Sequence, residues 1–328
     1  MPVSVCTLLT RCAIREPTFS RVFRRFSHKY SRNEDVKSRR NEMFTAEKKR
    51  QREAVGRVEK IEVKYLGVPQ DTTLVMNKNI STPFNCAQHI SELVVKRSAL
   101  ALLDGVTLWD MHRPLEAACT LQLLHFKDSD PFHVNKAFWR TCSVVLGAVV
   151  TESFKEDIPV FLHSFPSPNV RSGSFVYDIE LNVENWVPTK DELRVLTGQM
   201  VHFCQQGHKI ERLEVSVDLA LDMFADNPYK SQQIPDIGSH SLSGDKVILY
   251  RVGQHVDISK GPLIGNTNLL GRCSIVAVHL IKDTSKPIYR FQGVALPQGL
   301  LLNHFAYGVL ENRAKILNPA RFIPASDL

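Results

Sequence analysis

Several things are missing from this sequence, and each absence closes a class of function. The seven cysteines stand apart at positions 6, 12, 86, 119, 142, 204 and 273, and none forms a Cys-x-x-Cys pair. An odd, scattered set argues against a disulfide framework and a zinc ribbon, and it fits a reducing compartment. No apolar run approaches the roughly 20 residues needed to cross a bilayer, so no membrane span is expected. No Gly-x-x-x-x-Gly-Lys-Ser/Thr loop is present to cradle a nucleotide phosphate. No internal repeat or low-complexity tract interrupts the chain.

What is present is a chain of 328 residues with 43% hydrophobic content, enough for two modest domains. The net charge of +7 is unevenly spread: residues 1–60 hold sixteen Lys/Arg and seven Asp/Glu, while the rest hold 25 and 27. Attraction to polyanions should therefore concentrate near the N-terminus. Residues 1–28 have Arg11, Arg15, Arg21, Arg24 and Arg25 against one acid, Glu16, with Ser and Thr between. That is the composition of a mitochondrial presequence, with Arg24-Arg25-Phe26-Ser27 resembling a processing site. The competing reading is a disordered basic tail of a cytosolic or nuclear protein.

Residues 29–60 read as a basic helical extension. Asn33-Glu34-Asp35 can cap a helix start and Gly56 can end it. A helix this polar is not expected to bury itself in its own domain. Its cations Lys37, Arg39, Arg40, Lys48, Lys49, Arg50 and Arg52 are candidates for RNA phosphates. The alternative is a solvated linker helix.

Residues 61–128 give strand, turn, helix and further strands. Ile61–Tyr65 alternates like a strand, a helical spacing runs from Cys86, and Asp104-Gly105 makes a tight turn before Val106–Trp109. Cys119–Leu124 reads as the last strand. The order resembles the small β-grasp TGS domain that opens threonyl-tRNA synthetases, with Ser81-Thr82-Pro83 at the helix start.

Residues 129–328 carry a second resemblance. Ala137–Val150 reads as a buried helix with a wide apolar face. In threonyl-tRNA synthetase editing domains the corresponding helix has the form His-Ser-x-x-His-Leu-Leu-Gly-x-Ala. Its histidines, four apart, share one face and can hold a Zn²⁺ or a substrate. Leu146-Gly147 aligned on that Leu-Gly puts Arg140 and Val144 at the two histidine positions. The family closes its site with Asp-x-Cys-x-Gly-Pro-His, and here Asp257-Ile-Ser-Lys-Gly-Pro-Leu263 stands instead. Ser259 takes the cysteine position and Leu263 the histidine position. None of the four is a comparable ligand. Gly173–Leu181 resembles the family's Gly-Phe-Tyr-Tyr-Asp-Val-Asp-Leu strand, and Tyr229-Lys230 its Tyr-Lys after a short helix. Pro188–Leu193 opens a helix capped by Thr189 with Glu192 at the box position. Leu300–Leu310 reads as a final helix.

The resemblance implies an α+β fold: a small β-grasp, TGS-like domain followed by a larger α+β editing-like domain. It implies no catalysis, no cofactor and no metal. His255 and Asp257 form the one histidine–acid pair near the altered loop, and a satisfied structural role is the usual one for such side chains. Ser259 lacks the Gly-x-Ser-x-Gly context of a nucleophile. Within these 328 residues no aminoacylating domain is expected. Basic leader, basic helix and altered site together resemble one family of mitochondrial large-subunit ribosomal proteins. The function implied is structural: binding large-subunit rRNA and neighbouring ribosomal proteins in the mitochondrial matrix, with no small-molecule substrate. Two alternatives stand beside it, a free-standing hydrolase that clears mischarged tRNA and a tRNA-binding partner of a synthetase.

Overall fold

The computed structural model describes residues 32–320, except 156, 157, 184, 242, 243, 282, 283 and 285. The presequence expected at 1–28 lies outside the described residues. The first element, α1 (Arg32–Glu53), is a 22-residue helix with Glu34 and Asp35 in its first turn and Arg50 and Arg52 in its last. That distribution suits the helix dipole. Next come β1 (Lys60–Tyr65), β2 (Thr72–Asn77), α2 (Pro83–Ile90), α3 (Glu92–Arg97), β3 (Leu100–Leu103), β4 (Thr107–Trp109) and β5 (Cys119–Leu124).

These strands make one mixed sheet, ordered β2-β1-β5-β3-β4, in which β1 runs parallel to β5. Beneath it Val63, Cys86, Ala87, Val94, Trp109, Met111 and Leu121 form a compact core. The single helix expected from Cys86 onward is two. Ser91 ends α2 in an extended conformation, and its hydroxyl caps α3 by accepting from the Val94 N–H. Strand β2 is not marked by the sequence because Thr72–Asn77, an edge strand, has Leu, Val and Met in succession and no apolar–polar alternation.

The larger part begins with α4 (Phe132–Ser153), followed by β6 (Val160–Ser164), β7 (Phe175–Leu181), α5 (Lys190–Gln205), β8 (Ile210–Ser216), α6 (Val217–Met223) and α7 (Pro228–Ser239). It ends with β9 (Lys246–Val252), β10 (His255–Ile258), β11 (Leu270–Leu280), β12 (Ile288–Pro297) and α8 (His304–Ala314). A four-stranded antiparallel sheet is ordered β11-β12-β7-β6, and a three-stranded one β10-β9-β8. Helices α4 and α5 cover one face of the four-stranded sheet, and α8 packs on β11 and β12 through Tyr307 and Ala314. Every residue of β7 is buried. The alternation of Phe175, Tyr177, Ile179 and Leu181 marks one face. On the other, Asp178 takes a bidentate bond from Arg290 at 2.7 and 2.8 Å, and Glu180 accepts from Tyr229 at 2.6 Å. The protein is α+β, as the sequence implies.

Helix α1 departs from expectation. Phe44 is fully buried among Leu213, Val215, Phe224, Val247, Leu249, Val256 and Ile258. The Arg251 guanidinium lies 4.5 Å over its ring. Arg40 donates to the Met223 carbonyl at 2.9 Å and stacks over Phe224, and Gln51 donates to the Glu214 carbonyl at 2.7 Å. One aromatic side chain on a polar helix escapes a periodicity test, yet it gives the helix a firm anchor. We expect Phe44→Ala to lower the unfolding free energy by about 3 kcal/mol. Limited proteolysis should then cut faster after Lys48 and Lys49; an unchanged digestion pattern would show that Phe44 does not hold the helix.

Candidate functional site

The altered site is built around α4. Fifteen of this helix's residues are buried, from Val134 to Ser153, which is the pattern of a helix enclosed on nearly all sides. Gly147 is required where it stands. A Cβ there would meet the Tyr177 ring at 2.8 Å, so the Leu-Gly of the motif is a close approach of helix to strand.

The four substituted positions come together on α4 and the loop after β10. Arg140 donates from Nη1 to the Pro262 carbonyl at 3.0 Å, and the Ile264 N–H donates to Thr141 Oγ1 at 3.1 Å. Burial lowers the Arg140 pKa, against the pull of Tyr250 and Asp110. Val144 and Leu263 are fully buried in the same apolar cluster. The Ser259 hydroxyl is turned to its own loop and accepts from the Gly261 N–H at 3.3 Å. Gly261 has φ +65°, and a Cβ on it would lie 1.9 Å from the Tyr250 hydroxyl. The loop is also tied to the first sheet: Asp110, just after β4, accepts from the Leu263 N–H at 2.9 Å and from Tyr250 at 2.9 Å. Burial raises the Asp110 pKa, opposed by that N–H and by Arg212.

Leu and Val side chains therefore stand where the resemblance puts metal ligands. Among the described residues, no group of three His, Cys, Asp or Glu could hold a metal ion. A cleft beside α4, lined by Trp139, Ser143, Phe175 and Asn318, has room for about one water molecule.

Next to the altered positions lies a buried polar group that sequence reasoning missed. Lys230 on α7 reaches Asp257 Oδ1 at 2.8 Å. Tyr177 on β7 donates to Asp257 Oδ2 at 2.7 Å and accepts from Lys230 Nζ at 3.0 Å. The Ile258 N–H adds a bond to Oδ1 at 2.8 Å. Burial, the largest single influence, would raise the Asp257 pKa; Lys230, His255 and Tyr177 together outweigh it, and the net shift is downward. His255, read from sequence as the possible partner of Asp257, is buried with its pKa pushed down to about 4 by desolvation. Its Nε2 has no hydrogen-bond partner among the described residues. Tyr229-Lys230 was legible as a motif, but nothing in the sequence linked it to Asp257.

The seven candidate RNA-binding cations divide. Lys37 pairs with Glu152, Arg39 and Arg40 with Asp226 at 3.4 and 2.6 Å, and Lys48 with Glu211. These four face the body of the protein. Lys49 and Arg50 are 75% and 70% exposed and, among the described residues, pair along the helix with Glu53 and Glu47. Arg52 is exposed.

Fold and site together describe an α+β protein in which Arg140, Val144, Ser259 and Leu263, the positions that the resemblance to threonyl-tRNA synthetases sets on the editing site, are held by backbone hydrogen bonds and apolar packing. The comparisons agree. The chain is 57% identical over 286 residues to large ribosomal subunit protein mL39 of Drosophila melanogaster, covering 87% of this chain and 85% of that protein. It is 27% identical over 234 residues to probable threonine–tRNA ligase 1, cytoplasmic, of Dictyostelium discoideum, and spans 31% of that protein. It is 29% identical over 194 residues to a threonine–tRNA ligase of Thermotoga maritima, spanning 28% of it. No family model matches the chain. The chain belongs to the family of large ribosomal subunit protein mL39.

The buried triad makes a pH prediction. Wild-type Asp257 has a lowered folded pKa, so its contribution is present above the unfolded value of about 4 and disappears on acidification below it. In Lys230→Met the carboxylate is buried without its cation, which costs about 3–5 kcal/mol at pH 7. Protonation relieves that cost. Urea denaturation should show the gap between variant and wild type narrowing from pH 7 toward pH 4; a constant gap would contradict the pairing.

Proposed function

We propose that the chain is a structural constituent of the large subunit of the mitochondrial ribosome, located in the matrix, and that it does no chemistry there. Kinship with mL39 at 57% identity across most of both chains carries the reading. The apolar filling at Val144 and Leu263 supports it, since a hydrolase of this fold needs a ligand set or a base to activate water. The partners are large-subunit rRNA and neighbouring ribosomal proteins. We read residues 1–28 as a presequence, 29–60 as a basic extension, 61–128 as a TGS-like unit and 129–328 as a degenerate editing-like unit.

Within this reading, the rRNA contacts of α1 fall to Lys49, Arg50 and Arg52. They project from the last turns, away from the acids that hold Lys37, Arg40 and Lys48. Sedimentation of a mitochondrial lysate tests the assignment. The chain, followed by mass spectrometry, should co-migrate with the large subunit through moderately high salt; recovery only at the top of the gradient would overturn it. Lys49→Glu combined with Arg52→Glu should reduce incorporation and make what remains less steeply salt-dependent, because each lost phosphate contact removes roughly one unit from the salt slope. Unchanged incorporation would remove these residues from the interface.

A further inference from the structure

Helix α8 is apolar on two opposite faces. At about 100° per residue, Tyr307, Leu310 and Ala314 point one way, and they pack on Val276, Val294 and Leu296 of the sheet. Phe305, Val309 and Asn312 fall within about 60° of one another on the far side, and Ile316 follows just beyond the helix end. Leu301 and Leu302 continue that side before the helix. Leu301, Phe305 and Ile316 are 91%, 82% and 71% exposed, and Leu300, Val309 and Leu317 are about half exposed. A surface helix normally carries one apolar stripe, so a second marks a face that is covered in the working state.

We propose that this face docks an amphipathic helix of a neighbouring protein, one with an apolar seam and acidic flanks; the proposal rests on the large-subunit reading above. The spacing selects the shape of the partner. Within α8, Phe305, Val309 and Asn312 are spaced by four and three residues, the repeat that accepts knobs from a second helix, and Leu302 and Ile316 flank it just outside the helix ends. Asn312 is the single polar member, a residue that fixes register in such seams. The exposed side chains leave on the order of several hundred Å² of apolar surface, comparable to one partner's share of a standard interface, about 800 Å².

The charges select the partner's flanks. Arg313 and Lys315 project on either side of the stripe, about 80° from its centre. Both bond to neutral acceptors, Arg313 to the Arg171 carbonyl at 2.6 Å and Lys315 to Asn312 Oδ1 at 2.8 Å. Glu311, the one acid of the helix, is turned inward onto Ser274 at 2.6 Å. A cationic rim around an apolar seam complements acidic residues flanking an apolar one. RNA would leave Leu301, Phe305 and Ile316 facing phosphates, which wastes their apolar surface.

The test places a photo-reactive benzophenone amino acid at position 305 of the full chain expressed in cells. Large subunits are isolated by gradient and irradiated, and the adducts are mapped by mass spectrometry. The expected adduct is a segment of another protein with apolar residues spaced by three and four and Asp or Glu beside them. Adducts confined to rRNA, to this chain or to a second copy of it, or no adduct in assembled particles, would overturn the docking proposal alone. Absence of the chain from the particles would overturn the large-subunit reading, and the proposal with it. In parallel, Phe305→Glu with Val309→Glu should lower occupancy in the particle at least about tenfold, as expected for central apolar anchors. Undiminished occupancy would count against the seam.

Discussion

The larger part of this protein depends on one buried carboxylate. Asp257 has no solvent exposure, and an uncompensated charge there would cost several kcal/mol. Its compensation is distributed: Lys230 comes from α7 and Tyr177 from β7, while Asp257 itself sits on β10. The three-stranded and four-stranded sheets are thereby joined through a single polar group. Each contributor carries its own condition. Lys230 is aimed by the turn at Asn227, which caps α7 and donates to the Leu162 carbonyl at 2.9 Å. Tyr177 can reach inward only because Gly147 lets its ring lie against α4.

That dependence explains how chemistry and architecture separate in this fold. The four substituted positions lie on α4 and on the loop beyond β10, outside the Asp257 triad. Val144 and Leu263 join the main apolar core there, each adding roughly 1.5–3 kcal/mol of burial. Arg140 caps the Pro262 carbonyl, and Asp110 fastens the Leu263 N–H from the first sheet. These positions form a seam held by apolar contact and backbone hydrogen bonds. Removing one member of the triad would strand the others.

The sequence made α4, Gly147 and the Asp257–Leu263 loop legible, because periodicity and motif spacing are local. It pointed correctly to positions that converge in space. Two features escaped for one reason: each is a contact between elements distant in the chain. Lys230 and Asp257 are separated by α7, β9 and a turn. Phe44 is one apolar residue in a helix of charges, and only the groove formed by β8, β10 and α6 gives it meaning. The second stripe of α8 was hidden by its own richness, since a helix apolar on two faces has no clear polar side to mark what is exposed. The apolar run from Leu300 predicts a helix that starts there, whereas Asn303 caps it and accepts from the Ala306 N–H at 2.7 Å.

The docking of α1 also changes what a basic helix can do. A free helix with nine cations nearby would lose chain and side-chain entropy on meeting RNA. Here that cost falls on folding instead. Phe44 anchors the centre, Lys37, Arg40 and Lys48 are fixed on acids of the body, and the helix is rigid before any partner arrives. Lys49, Arg50 and Arg52 are then presented from a defined surface at a defined angle. A paired cation and an exposed cation on the same helix are two halves of one arrangement: the inward set orients the outward set. In the proposed particle, the basic extension acts as a part of the folded body, and its charge is spent on position as much as on attraction.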